Sequence, residues 1–487
     1  MKFRKSKKKR KKPKNKKYKL STFINSICNY MKISEEAQPL TSNNYGDYKK
    51  KAKKCIICDI KAKIPLIVIF IFIILAFAFI LIIRIFNKNT MIKTKWGKNL
   101  DKNNIWQEYP RPQLKRKDWL NLNGYWSYSI TNINDKKPDN FDGKILVPFC
   151  LESSLSEVMK SLNEKQILWY FKEFEIPKEW KNKNIIIHFN AVDWKCELYI
   201  NNIKIGEHFG GYSEFSFDIT KSLKEGINEI LLKVWDPSDK GYQPVGKQCS
   251  KPNAIWYTSI SGIWQTVWLE PVNEQYITKI EINNDYDKKE LKINCKLNLN
   301  EKLPLEINLL YKEMEISKIK GMSNETIIYN IPEENFHPWS PYEPNLYTIK
   351  VQLFNTNAQL IDSITSYTAI RKVEQRKDEN GYYRIYLNNK PLFNMGTLDQ
   401  GYWPDGLYTP PSEEAMLYDI NKLKELGFNT IRKHVKIEPY RYYYHCDRIG
   451  MLVWQDMPSG DRQENQWEHH FLNAGEDANR SEESKNN

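Results

Sequence analysis

Residues 411–458 read PSEEAMLYDINKLKELGFNTIRKHVKIEPYRYYYHCDRIGMLVWQDMP, and their periodicity sets the fold of the C-terminal part of the chain. Pro411-Ser412-Glu413-Glu414 opens a helix: Ser412 can cap it, and the two acids suit its positive end. Met416, Ile420 and Leu423 recur at helical spacing as a buried stripe, and Gly427 can stop the helix. Asn429–Arg432 then reads as a strand, Pro439–Arg448 as a second helix and Met451–Trp454 as a second strand. Upstream, Arg384–Leu387 and Leu392–Met395 also read as strands, the latter followed by a long aromatic loop. Strand–helix–strand–helix–strand is a βαβ pattern and implies parallel strands. The periodicity fits an open doubly wound sheet and a closed barrel equally well.

Moving towards the N-terminus, the period changes to two. Within 273–372 the runs Ile277–Ile282, Leu291–Leu299, Leu305–Tyr311, Leu346–Phe354 and Leu360–Tyr367 are strands of a domain of immunoglobulin-like size. Within 111–272, Tyr170–Ile176, Asn184–Phe189, Ser213–Asp218 and Asn228–Trp235 alternate in the same way. Turns at Asn201-Asn202 and Gly210-Gly211 separate strands with one buried face, which is the pattern of an antiparallel β-sandwich. Residues 87–110 are polar and aperiodic and read as a stalk.

Further upstream, Ile64–Ile83 is IPLIVIFIFIILAFAFILII, twenty residues without a charge. A helix of that length covers roughly 30 Å, the hydrocarbon thickness of a bilayer. We therefore expect residues 64–86 to form a transmembrane helix. Charge supports an orientation. The whole chain has 74 Lys/Arg against 59 Asp/Glu, and 21 of those bases but only 4 acids fall within residues 1–63. The basic excess belongs to this tail, so a globally basic nucleic-acid-binding protein is not the reading. The positive-inside rule puts residues 1–63 in the cytosol and the domains after the span outside the cell or in a lumen. The run KKKRKKPKNKK also fits a nuclear-localisation or RNA-binding segment; a solvated tail near an anionic leaflet is the plainer reading. Cys55 and Cys58 form a C-x-x-C without further metal ligands spaced nearby. Five cysteines follow the span, too few and too irregular for a disulfide scaffold. Asn324-Glu325-Thr326 and Asn479-Arg480-Ser481 are glycosylation sequons.

Specific stretches in order resemble a known family. They include Arg111-Pro112-Gln113, Leu122-Asn123-Gly124-Tyr125-Trp126, Val147-Pro148-Phe149, Ala191-Val192-Asp193-Trp194 and Gly210-Gly211-Tyr212. Phe217–Thr220, Ser261–Val267, Trp339-Ser340-Pro341 with Leu346-Tyr347, Asp399–Tyr408, Arg432–Pro439 and Trp454–Pro458 continue the series. From about residue 111 to 461 the chain resembles family 2 glycoside hydrolases, the β-galactosidase and β-glucuronidase group. The resemblance implies a sugar-binding jelly-roll sandwich (111–272), an immunoglobulin-like sandwich (273–372) and the start of a (β/α)8 TIM barrel (373–487). It also implies a retaining hydrolase acting on a carbohydrate substrate, with no cofactor. That chemistry uses two carboxylates at strand C-termini.

The family's acid/base glutamate sits at the end of the fourth barrel strand and its nucleophile near the end of the seventh. The strand count here reaches the third, so the barrel is expected to be incomplete and both glutamates to be absent. Glu438, Glu464 and Glu468 match no catalytic motif. The resemblance instead implies substrate-binding roles for Asp399, Arg432, His434, Asp456 and Trp256, and no metal. Asp399 matches an acid lining the sugar pocket, with a loop-capping aspartate as the plain alternative. Arg432 matches an arginine beside the nucleophile, or is a structural ion pair. His434 lies two residues after that arginine, whereas the family histidine lies three after. Asp456 matches an acid that helps hold a cation in some relatives. Trp256 stands where relatives send an aspartate into the pocket; it can stack on a sugar or fill a core. The competing expectations are a non-catalytic carbohydrate-binding or scaffold protein, and an interaction protein acting through its basic tail. Oligomeric state is not legible in the sequence.

Overall fold

The structure is a computed structural model that describes residues 74–78, 92–240 and 243–459. The basic tail, Cys55, Cys58, residues 460–487 and the second sequon lie outside the described residues, as does the expected span 64–86 except for helical residues 74–78. Among the described residues no helix is long and apolar enough to cross a membrane.

The first domain is a sandwich of a six-stranded and a four-stranded sheet. The strands read from alternation are present: Gln166–Glu175, Asn184–Phe189, Phe215–Asp218 and Ile227–Trp235. The two sheets share one core, in which Trp126, Leu168, Tyr170 and Leu232 of the larger sheet meet Ile187, Phe189, Val267 and Leu269 of the smaller. Each large side chain so buried contributes about 1.5–3 kcal/mol.

The second domain pairs a three-stranded with a four-stranded antiparallel sheet around Ile293, Cys295, Ile307, Ile349, Val351 and Leu353. Its strands include Ile277–Asp285, Glu290–Leu297, Pro304–Tyr311, Tyr347–Phe354 and Leu360–Thr368. One join differs from the expected boundary at residue 111. Leu114 packs in the core of the second domain, and Lys115 and Thr365 exchange backbone hydrogen bonds of 2.8 and 2.9 Å. The chain thus touches the second sandwich before entering the first.

Residues 92–110 also depart from the stalk reading. Ile105 and Tyr109 are buried, and Ile105 packs with Leu146, Phe149 and Leu155 of the first sandwich. The segment is polar between these anchors, so alternation does not reveal it.

The third region carries Gly396–Asp399, Thr430–Lys433 and Leu452–Gln455 as three parallel strands, in that order. Glu413–Glu425 and Tyr440–Ile449 are the intervening helices. Ser412 Oγ accepts the Ala415 amide, and Gly427 and Gly450 take left-handed backbone beyond the two helix ends. Met416, Ile420, Tyr442 and Cys446 pack against Ile431 on one face of the sheet. The structure corrects one strand: Leu392–Met395 is not one, and the first parallel strand starts at Gly396. Asn429 causes the shift, because its side chain bonds the Met395 amide and the Phe393 carbonyl and so takes up backbone groups just before the ladder. Phe393, 82% exposed, shows that the apolar run is not a core strand. Three parallel strands and two helices are described; a closed barrel is not among the described residues.

Candidate functional site

Strand pairing decides which side chains meet at the C-terminal ends of the parallel strands. Leu398, Arg432 and Trp454 are in register, and so are Asp399, Lys433 and Gln455. Successive residues of a strand face opposite sides, so these two rows lie on opposite faces.

The Asp399 row faces the helices. Lys433 is 1% exposed and sits between Asp399 Oδ2 (2.6 Å) and Glu438 Oε1 (2.8 Å). Burial alone would drive its proton off; Glu438 and Asp399 outweigh that, and its pKa is raised. Lys436, equally buried, bonds Glu438 Oε1 at 2.9 Å and donates to the Gly401 and Tyr408 carbonyls at 2.8 Å. Here burial wins over Glu438, with help from the like charge of Lys433, and the pKa falls to about 8. Asp399 also accepts from Tyr442 and from the Gly401 amide. Burial pushes its carboxyl up, but Lys433 holds it below the usual value. This cluster ties the first strand, its loop and the second helix together.

The Arg432 row faces the other side and is open: Leu398 is 49% and Trp454 50% exposed. Arg432 grips Asp456 with two bonds, Nε to Oδ1 at 3.2 Å and Nη2 to Oδ2 at 2.9 Å. His434, two residues on and therefore on the same face, places Nδ1 2.8 Å from Asp456 Oδ2. The Arg432 hydrogen bonds are the main reason that the Asp456 pKa is lowered. The three residues form a polar patch on an exposed sheet face at the strand ends. Arg432 keeps further donors free of Asp456, which suits it to sugar hydroxyls or anionic oxygens.

The sandwich reaches the same end. Loop residues 400–410 are bound into it: Tyr212 and Tyr408 hydroxyls lie 3.1 Å apart, Thr409 Oγ1 donates to the Trp264 carbonyl at 2.6 Å, and Ser153 Oγ donates to the Asp405 carbonyl at 2.7 Å. Tyr257 stacks on Tyr402 with centroids 4.1 Å apart. Trp256, next to it, is half-buried with the Lys247 ammonium 4.8 Å from its ring. So the structure brings Arg432, His434 and Asp456 together, sets Asp399 on the opposite face of the sheet, and hangs Trp256 on a sandwich loop at the same end. Lys433, Lys436 and Tyr442 were not singled out from sequence. The register of Asp399 against Lys433 is the signal that finds them. Among the described residues no group of three or more acidic, His or Cys side chains is arranged to hold a metal.

The site thus lies where two antiparallel sandwiches are followed by a parallel strand–helix unit, with polar side chains at the strand ends. Residues 154–271 match the family profile described as glycosyl hydrolases family 2, sugar binding domain, and residues 275–371 match glycosyl hydrolases family 2. Two stretches of the chain are thus similar to family 2 glycosyl hydrolase domains. It is similar to a β-galactosidase of Thermoanaerobacter pseudethanolicus, 29% identical over 379 residues that cover 72% of this chain and 47% of that protein. It is also similar to a putative β-glucuronidase of Formosa agariphila, 28% identical over 367 residues covering 72% and 43%. Such homologues are glycosidases. The fold matches a solved β-glucuronidase from Ruminococcus gnavus with a TM-score of 0.60 at 18% identity, covering 73% of this chain and 61% of that one. A Bacteroides uniformis β-glucuronidase matches with a TM-score of 0.56 at 23% identity, covering 70% and 42%. The chain spans about half the length of the curated relatives it matches.

Proposed function

We propose that the protein is part of a membrane-anchored glycosidase that hydrolyses β-galactosides or β-glucuronides with retention of configuration. The observation that carries this reading is the Arg432–His434–Asp456 patch at the strand ends, open to solvent beside the sandwich loops. Retaining hydrolysis needs one carboxyl to protonate the leaving oxygen and a second to attack the anomeric carbon. The acids at these strand ends are engaged otherwise. Asp399 and Glu438 bind Lys433, and Asp456 binds Arg432. Asp399 and Asp456 have lowered pKa values, the opposite of what a proton donor at neutral pH needs. Their role in this reading is to hold the sugar and shape the floor, and the two reacting carboxylates come from strands beyond the third. Residues 1–487 alone should therefore turn over no aryl glycoside above a blank preparation. The protein isolated from its native membranes should hydrolyse an aryl β-galactoside or β-glucuronide. Absence of turnover of both by the native protein contradicts the hydrolase reading.

Membrane anchoring rests on the uncharged run Ile64–Ile83 and the basic tail before it. The protein should stay in the pellet after alkaline carbonate extraction of membranes, and deletion of residues 64–86 should release it. Release of the intact protein sinks the anchor.

A further inference from the structure

The loop that joins the first parallel strand to the first helix leaves the strand at Asp399 and reaches the helix cap at Ser412. Its two limbs converge on one side chain. Lys436 Nζ donates to the Gly401 carbonyl and to the Tyr408 carbonyl, both at 2.8 Å, and bonds Glu438 Oε1 at 2.9 Å. Lys436 is 0% exposed. Gly401 takes a φ of +69°, and a Cβ there would meet Lys436 Cδ at 2.5 Å and Nζ at 2.9 Å, so the loop is pressed onto the lysine.

The backbone of the same lysine belongs to the polar patch. Its carbonyl accepts Gln455 Nε2 at 2.8 Å, and Gln455 precedes Asp456. Two residues before Lys436, the His434 amide donates to the Asp399 carbonyl at 2.8 Å. One residue thus joins both limbs of the loop to the segment that bears His434.

This bond set depends on one proton. An ammonium has three N–H groups, matched here by three acceptors; a neutral amine has two. Loss of the proton leaves one buried acceptor unsatisfied. Glu438 is already short of a donor, since its Oε2 has no hydrogen-bond partner among the described residues. Burial lowers the Lys436 pKa against the pull of Glu438 and Asp399, Lys433 adds like charge, and the result is about 8. The neighbours do not titrate there. Lys433 has a raised pKa and keeps its proton. The Tyr408 ring lies 4.7 Å from the ammonium, with Tyr402 and Tyr212 packed on it, and burial pushes all three hydroxyls well above 10. The Trp264 ring, 5.6 Å away on the sandwich side, carries no proton that titrates.

We propose that Lys436 is a positioning residue of the site: its ammonium staples loop 401–408 to the segment bearing His434, and loss of its proton releases the loop and the setting of His434 with it. The inference rests on the hydrolase reading of the patch. It goes further by naming a group that acts through the loop and His434 without touching the sugar.

Amide hydrogen exchange of the full chain, resolved over residues 400–410 and corrected for the chemical rate, tests it between pH 7 and pH 9. With a pKa of about 8 the neutral amine rises about tenfold over that range. Loop exchange should rise about tenfold with a midpoint near pH 8, while the strand Asn184–Phe189 stays level. Lys436→Met should exchange fast at every pH, and Lys436→Arg, which keeps its charge, should show no pH dependence. Turnover of an aryl glycoside by the native membrane protein should fall about tenfold with the same midpoint. Loop exchange that stays level from pH 7 to 9, or that is equally pH-dependent in Lys436→Met, overturns the staple whatever turnover does. A loop that opens while turnover stays level overturns the positioning role and leaves the hydrolase reading standing. No turnover at any pH sinks the hydrolase reading, and the loop exchange then still decides the staple.

Discussion

Replacing Glu270 by glutamine should lower the thermal unfolding midpoint by on the order of 10 °C, the largest effect expected of a single substitution outside the apolar cores. Glu270 is 1% exposed. Its carboxylate meets Arg111 at 2.9 Å, Arg116 at 3.1 Å and His188 at 3.0 Å, and Tyr109 donates to it at 3.2 Å. Arg116 also binds Asp362 at 2.8 Å and the Ile277 carbonyl at 2.6 Å, so the network joins the first sandwich to the second. Burial pushes the Glu270 carboxyl up, but Arg111 and Arg116 outweigh it and hold the pKa well below the usual value. Burial lowers the His188 pKa despite Glu270, so the imidazole is neutral near pH 7 and its contact is a hydrogen bond. Glutamine keeps the shape and removes the charge, leaving two buried guanidiniums of which, among the described residues, Arg116 alone keeps a paired carboxylate, Asp362. Losing one partner of a buried pair costs about 3–5 kcal/mol, whereas an exposed pair such as Lys102–Glu157 contributes about 0–1 kcal/mol. Because the folded pKa is depressed, the contribution of Glu270 is present above the ordinary carboxylate range and is lost only as pH falls through the depressed value. Differential scanning calorimetry at pH 7 checks this, with Glu157→Gln as control. Equal, small shifts for both variants would show that the network carries no stability.

The second large effect has the opposite sign with pH. Glu152, Asp193 and Asp236 are all buried in the first sandwich, and among the described residues none of them pairs with a lysine or arginine. Asp236 accepts from Ser261 Oγ at 2.6 Å and from the Ser238 amide at 2.7 Å. Glu152 accepts the Ser261 amide at 2.8 Å, while its other oxygen has no hydrogen-bond partner among the described residues. Burial raises Asp236 from 3.8 to about 6 against those bonds. Burial, and then the charge of Asp236, raise Glu152 and Asp193 well above their usual values. A raised folded pKa means that stability is fully present below the unfolded value and is lost as pH climbs through the folded one. For Asp236 the loss falls between about pH 4 and 6 and amounts to roughly 3 kcal/mol. Asp236→Asn should therefore be more stable than the parent at pH 8 and flatten the fall in midpoint across pH 4–6. A parent midpoint that is level from pH 4 to 8 would contradict it.

Much of the scaffold was legible because each sandwich buries one face of most strands, and period-two alternation survives in runs such as Asn184–Phe189 and Leu305–Tyr311. Strands Met314–Met322 and Thr326–Asn330 escaped, because they lie at sheet edges and neither is fully buried along either face. Residues 92–110 escaped because a few anchors, Ile105 and Tyr109 among them, hold a polar segment. Of the site, Arg432 and Asp456 were singled out through resemblance to the family's stretches, and His434 with them although its spacing from Arg432 is one residue short of the family's. The orientation of Asp399 was not, because it depends on register with Lys433, which begins at Gly396 and not within the apolar Leu392–Met395. Long-range partners such as Arg116 and Glu270, 154 residues apart, leave no local pattern at all.

The proposed activity is sugar hydrolysis with retention at the end of the parallel strands. The most direct measurement is proton NMR of the first-formed product when the native membrane protein acts on aryl β-galactoside and β-glucuronide. At least one should be turned over, with the β-anomer of the free sugar appearing first and mutarotating later. Initial release of the α-anomer, or no turnover of either substrate, would contradict it.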